Sequence, residues 1–108
     1  WYRKQAVELI PQKTYQFANQ LGVQYKDISI KDQKSRWGSC SSKGNLNFNF
    51  RIMMAPERVC DYVIWHELCH LVHMNHSEAF WKLVSSNCSD YKISRQWLKE
   101  NVKKLYPI

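Results

Sequence analysis

Between Glu57 and Met74 the chain is apolar on nearly every side of a helix, yet it carries three of the four histidines. Val59, Tyr62, Val63, Ile64, Trp65, Leu68, Leu71 and Val72 leave no polar face wide enough for a surface helix. Such a segment has to be a buried central helix, with other elements packed round it. The histidines therefore stand in a core, where a polar ring needs a partner.

All four histidines fall in the run His66-Glu67-Leu68-Cys69-His70-Leu71-Val72-His73-Met74-Asn75-His76, whose first five residues read H-E-x-x-H. A helix advances about 100° per residue, so His66 and His70 share a face one turn apart. Two imidazoles so placed can meet one zinc ion at about 2.0–2.1 Å each. Glu67 stands beside that face, turned from the line of ligands, where a general base belongs.

The third ligand follows from distance. His73 shares the face but lies about 10.5 Å beyond His66 along a straight helix. Ligand nitrogens round one tetrahedral zinc are only about 3.3 Å apart. If the chain turns at Asn75, His76 can fold back under the ion, and the geometry favours His76 over His73. His66, His70 and His76 would then hold zinc with one position open, unlike the closed four-ligand set of a structural site. His73 reads as a surface or packing residue, with contact to a substrate oxygen the alternative. Cys69 reads as a small packing residue. Trp65, Trp81 and Trp97 read as core.

The remaining elements come from periodicity. Ala6, Val7, Ile10, Tyr15 (or Thr14), Phe17, Ala18 and Leu21 have helical spacing across residues 2–21, with Pro11 a kink or break. Gly22 suits the helix end. Val23 to Ile30 is short and β-branched, a strand. Residues 36–52 read as a hairpin turning at Ser41-Ser42-Lys43-Gly44-Asn45, after which Leu46, Phe48, Phe50 and Ile52 alternate with polar residues. Pro56 opens the central helix. Asn75 with Glu78, or Ser77, caps a further helix carrying Phe80, Trp81 and Val84. A last helix runs from about Ser94 to Leu105, before Pro107.

A chain of 108 residues makes one domain with a modest core, to which five Trp and six Tyr add large burial. It begins at Trp1 rather than Met, which suggests a fragment or processed product. Cys40, Cys60, Cys69 and Cys88 match no metal or disulfide spacing, which predicts free thiols and a cytoplasmic setting. No stretch approaches the roughly 18 apolar residues of a membrane span. A net charge of +7 raises nucleic acid as a possible partner, although Lys and Arg are spread along the chain and only Lys99, Lys103 and Lys104 cluster.

Arg36-Trp37-Gly38-Ser39-Cys40-Ser41, Asn45 to Phe50, His66 to Leu71, and Asn75-His76-Ser77 with Phe80-Trp81 closely resemble the YgjP-like metallopeptidases, relatives of the SprT-like and WLM zinc peptidases. Asp90-Tyr91 and Arg95-Gln96-Trp97-Leu98 extend the resemblance over about Tyr2 to Leu98. It implies a small α+β, zincin-like domain: an N-terminal helix, a short, mostly antiparallel three-stranded sheet, a buried metal-binding helix and C-terminal helices. It implies zinc on His66, His70 and His76, and Glu67 as general base. It also implies that residues 1–108 are the C-terminal part of a longer protein. The expected activity is hydrolysis of a peptide or protein substrate by a zinc-activated water. The alternative is a zinc-containing module that binds DNA or a DNA-bound protein with little or no peptidase activity.

Overall fold

In a computed structural model, the structure describes residues 2–32 and 36–105, with side chains to residue 101. Pro107 and the side chains of Lys103 and Lys104 lie outside that range.

Helix α1 (Tyr2–Leu21) runs through Pro11 without interruption. Pro11 cannot bond the carbonyl of Val7, but Val7 is 54% exposed, so water can take that acceptor. The buried stripe is Ala6, Ile10, Thr14 and Ala18, one residue per turn. Thr14, not Tyr15, faces inward, and its hydroxyl donates to the Ile10 carbonyl at 2.7 Å, so that this buried oxygen is not left unpaired. Gly22 ends the helix at φ +79°, the left-handed conformation that a side chain would oppose, and its N–H donates to the Ala18 carbonyl.

Three strands follow: β1 (Asp27–Lys31), β2 (Gly38–Cys40) and β3 (Asn45–Asn49). Their order is β1-β3-β2, which leaves β2 at an edge. The turn from β2 to β3 closes on Gly44, at φ +89°, whose N–H donates to the Ser41 carbonyl. A tight turn makes β2 and β3 antiparallel. β1 instead pairs parallel to β3, from Asp27 with Asn45 to Lys31 with Asn49. The α+β class expected from the sequence holds, but the sheet is mixed rather than mostly antiparallel. β2 lies between β1 and β3 in sequence, so no hairpin sets the direction of that pairing.

Leu46 and Phe48 point into the core as the alternation predicts. The strand stops at Asn49, however, and Phe50–Met54 coil into a 3₁₀ helix. Asn49 is buried and causes the change: its side chain accepts from Arg51 N–H at 3.0 Å and donates to the Arg36 carbonyl at 3.1 Å. Ile52 still reaches the core, now from the 3₁₀ turn.

Helix α2 (Glu57–Cys69) is the central element, contacting α1, β2, the 3₁₀ turn and both later helices. Val59, Ile64 and Leu68 are fully buried on it, and Trp65 stacks on Phe17 of α1 with ring centroids 4.5 Å apart. Helix α3 (Glu78–Asn87) is capped by Ser77, whose hydroxyl accepts from Phe80 N–H. Helix α4 (Tyr91–Leu105) starts three residues before the predicted Ser94. Phe80, Val84 and Leu98 close the core, while Trp81 and Trp97 are half-buried at its rim. No helix among the described residues is long and apolar enough to cross a membrane.

Candidate metal centre

Helix α2 ends at Cys69, five residues before the predicted Met74. The chain tightens there, as Leu71 N–H donates to Leu68 and Val72 N–H to Cys69. Val72 and Met74 face solvent, so burial does not hold the following residues to a helical course. The turn carries His76 back over the end of α2. The Nε2 atom of His76 lies 3.1 Å from that of His70 and 3.2 Å from that of His66. One ring atom from each of these three residues falls within 4.8 Å of the others.

The three rings are held from outside. Tyr62, one turn before His66, is hydrogen-bonded to His66 Nδ1 at 3.1 Å. The His70 Nδ1–H donates to the His73 carbonyl at 3.1 Å. Trp81 stacks on His76, with centroids 5.7 Å apart, and Phe80 stacks on His70 at 4.4 Å. His73 thus contributes its backbone rather than its ring. Spacing along the sequence reveals neither that carbonyl nor Trp81, whereas Tyr62 stands at i−4 from His66 on the same helical face.

Charge at the cluster is set by burial. Burial, with the neighbouring His70 and His76 rings and Arg95, holds His66 down to about 3. His70 is lowered too, mainly by burial. Both are therefore neutral near pH 7, the form that donates a lone pair to a metal. Burial pushes the Glu67 carboxyl up to about 8, with Arg36 pulling the other way.

Glu67 packs against the edge strand. A Cβ at Gly38 would come within 3.1 Å of Glu67 Cγ, 3.2 Å of its Oε2 and 3.1 Å of the Asn47 carbonyl. Gly38 therefore lets the carboxyl lie against the β2 backbone. A cavity of about 300 Å³ is lined by His66, Glu67, His70 and His76 on one side and by Gly38 to Cys40 on the other.

The three nitrogens suit zinc. Round a tetrahedral zinc with bonds of about 2.0–2.1 Å, ligand nitrogens stand about 3.3 Å apart. The observed 3.1 and 3.2 Å come close to that before any adjustment.

A buried helix that brings two histidines and a carboxyl to one cavity, completed by a third histidine from the following turn, gives this α+β domain a candidate metal centre. Two solved structures share the architecture. The metallopeptidase zymogen of Pyrococcus abyssi abylysin matches with a TM-score of 0.73 at 21% identity, over 85% of this chain and 94% of that one. The metallopeptidase zymogen of Methanocaldococcus jannaschii jannalysin matches with a TM-score of 0.68 at 23% identity, over 84% of this chain and 95% of that one. At these identities the likeness concerns the fold. The sequence profile of the YgjP-like metallopeptidase domain matches residues 1–101, and the chain belongs to that family. Comparison with curated proteins gave no match.

Proposed function

We propose that this protein is a zinc-dependent peptidase in which His66, His70 and His76 hold the ion and Glu67 is the general base. The observation that carries the reading is the convergence of three imidazole nitrogens, two of the distances being 3.1 and 3.2 Å, in one cavity with a buried carboxyl. When bound, zinc acts as a Lewis acid that polarises a carbonyl and makes water more acidic.

The protein's own groups supply the rest. With Nε2 of His66 and of His70 directed at the ion, each Nδ1 carries the ring proton. His66 then donates to the Tyr62 oxygen and His70 to the His73 carbonyl, which fixes both tautomers. Glu67 takes the proton of the attacking water and returns it to the leaving amine. To accept that proton the carboxyl must be ionised, the form that a bound divalent cation beside it favours. β2 is the edge strand that lines the cavity, so an extended peptide can lie along it by backbone pairing. The reading treats residues 1–108 as one catalytic domain. Four free thiols fit a cytoplasmic setting.

Glu67→Gln tests the reading. The variant should keep one zinc per chain and lose about 10²–10⁴-fold in the rate of peptide cleavage. Cleavage at the wild-type rate would sink the mechanism.

A further inference from the structure

A second, larger cleft of about 540 Å³ opens from the same His66 and Glu67 and runs between β2, α2 and α4. Its size is that of a ligand pocket. Trp37, Val63 and Leu98 give it apolar walls. Its charged lining is one-sided: Arg36 stands at the β2 side, Arg95 and Lys99 on α4, and the sole acid is Glu67 itself. Arg95 and Lys99 are four residues apart on one helix, so they face the same way. Among the described residues neither makes an ion pair; the salt bridges present use Lys13 and Arg51.

Arg95 is also held in place. Its guanidinium lies over the Trp81 ring, 4.4 Å from the centroid, and Trp81 in turn stacks on Tyr91. A guanidinium fixed by an aromatic face keeps its in-plane donors free for a planar anion.

We infer that this cleft is a carboxylate-recognising subsite, so that the enzyme acts on peptides with an acidic side chain or a free C-terminal carboxylate close to the scissile bond. The inference rests on the peptidase reading above and deepens it. A carboxylate suits the site because Arg95 can bind it with parallel N–H donors, Lys99 adds charge at the mouth, and the apolar walls accept the methylenes of the side chain. The cations surround a pocket beside the catalytic carboxyl, whereas a nucleic-acid backbone is met by cations in an extended track.

The test uses matched peptides with Asp or Glu against Asn or Gln on either side of one bond, each made as a free acid and as a C-terminal amide. Cleavage by the zinc-loaded protein should favour a carboxylate by about tenfold in kcat/KM, and added salt should shrink the ratio. The pair of peptide series tells a side-chain carboxylate from a terminal one. Arg95→Gln and Lys99→Glu should each reduce the ratio; Lys99 is exposed, so its variant probes charge without disturbing the stack on Trp81. Binding to the zinc-loaded Glu67→Gln protein, followed by fluorescence anisotropy, reads the same preference without turnover. If the wild type cleaves nothing but carboxylate peptides still bind in a Lys99-dependent way, the subsite stands and the peptidase reading falls. Equal cleavage and binding of all peptides, or a preference that survives both substitutions, overturns the subsite. So does binding of a DNA duplex that Lys99→Glu weakens and acidic peptides fail to displace.

Discussion

The Nδ1 of His70 lies 3.1 Å from the carbonyl oxygen of His73, so one histidine orients another through its backbone. A carbonyl is only an acceptor, and the ring must therefore place its proton on Nδ1 and its lone pair on Nε2. The side chain of His73 has no part in this. His73→Ala should bind zinc with unchanged stoichiometry. His76→Ala removes a donor that lies 3.1 Å from His70 Nε2 and should weaken zinc by more than the roughly 10–100-fold that an orienting residue costs. Metal titration of both variants checks the contrast; equal weakening would show that His73 binds through its ring.

Tyr62 holds His66 from the opposite end of the cluster. Its hydroxyl is 3.1 Å from His66 Nδ1, and the residue is buried. Tyr62→Phe keeps the ring and removes the oxygen. Zinc affinity should fall about 10–100-fold, because the His66 ring loses its outer hydrogen bond. The metal-free protein should lose about 1–3 kcal/mol of stability from the unpaired nitrogen. Zinc competition and thermal melts read the two effects separately, and an unaltered zinc affinity would dismiss the positioning role.

Gly38 predicts a loss of turnover without a loss of metal. An added Cβ meets the Asn47 carbonyl and Glu67 Cγ, each at 3.1 Å, and so crowds the Glu67 carboxyl directly. In Gly38→Ala the Glu67 carboxyl has to shift, or the hairpin does. Overpacking of this kind costs about 1–3 kcal/mol in stability. On the proposed mechanism a shift of the Glu67 carboxyl by a few tenths of an ångström should lower kcat by up to about tenfold, since a 1 Å error costs about a hundredfold. Bound zinc per chain should stay at one. Full activity in this variant would show that Glu67 can move without consequence.

Lys13 ties α1 to α2 and gives stability a defined pH window. Its Nζ lies 2.6 Å from Asp61 Oδ1 and 2.9 Å from Glu57 Oε1. Burial works against the Lys13 charge, but the two carboxylates outweigh it and raise the group above 10.5. The hydrogen bond from Lys13 holds Glu57 below 4.5. The raised lysine contributes stability that is fully present below 10.5 and is lost as pH rises through its folded value. The lowered glutamate contributes stability present above 4.5, lost as pH falls through its folded value. Lys13→Met should therefore melt below wild type by a steady margin from about pH 6 to 9, and the margin should narrow on either side. A margin that does not change with pH would assign the effect to packing.

Much of the site was legible in the sequence because it is local. His66 and His70 share a face through the helical period alone, and Glu67 stands beside them for the same reason. Leu46 and Phe48 were legible through the strand period, and Gly22 through its tolerance of positive φ. Tyr62 could have been found by the same i−4 spacing. Local rules were weaker where two residues competed for one role: Thr14 displaces Tyr15 from the core because its hydroxyl can bond the Ile10 carbonyl while buried.

By itself, then, the sequence determined the pair of histidines on one helix turn, the carboxyl beside them and the need for a chain reversal before His76. Those features depend on dihedral periods and residue chemistry, which neighbours along the chain specify. Only the tertiary structure decided where α2 stops, that β1 runs parallel to β3, that Asn49 ends its strand, and that Arg95 and Lys99 reach the cleft of His66 and Glu67. The strand pairing, the Asn49 bond to the Arg36 carbonyl and the cleft join groups far apart in sequence, and burial and hydrogen-bond satisfaction in the assembled core select among alternatives that local propensity leaves equal.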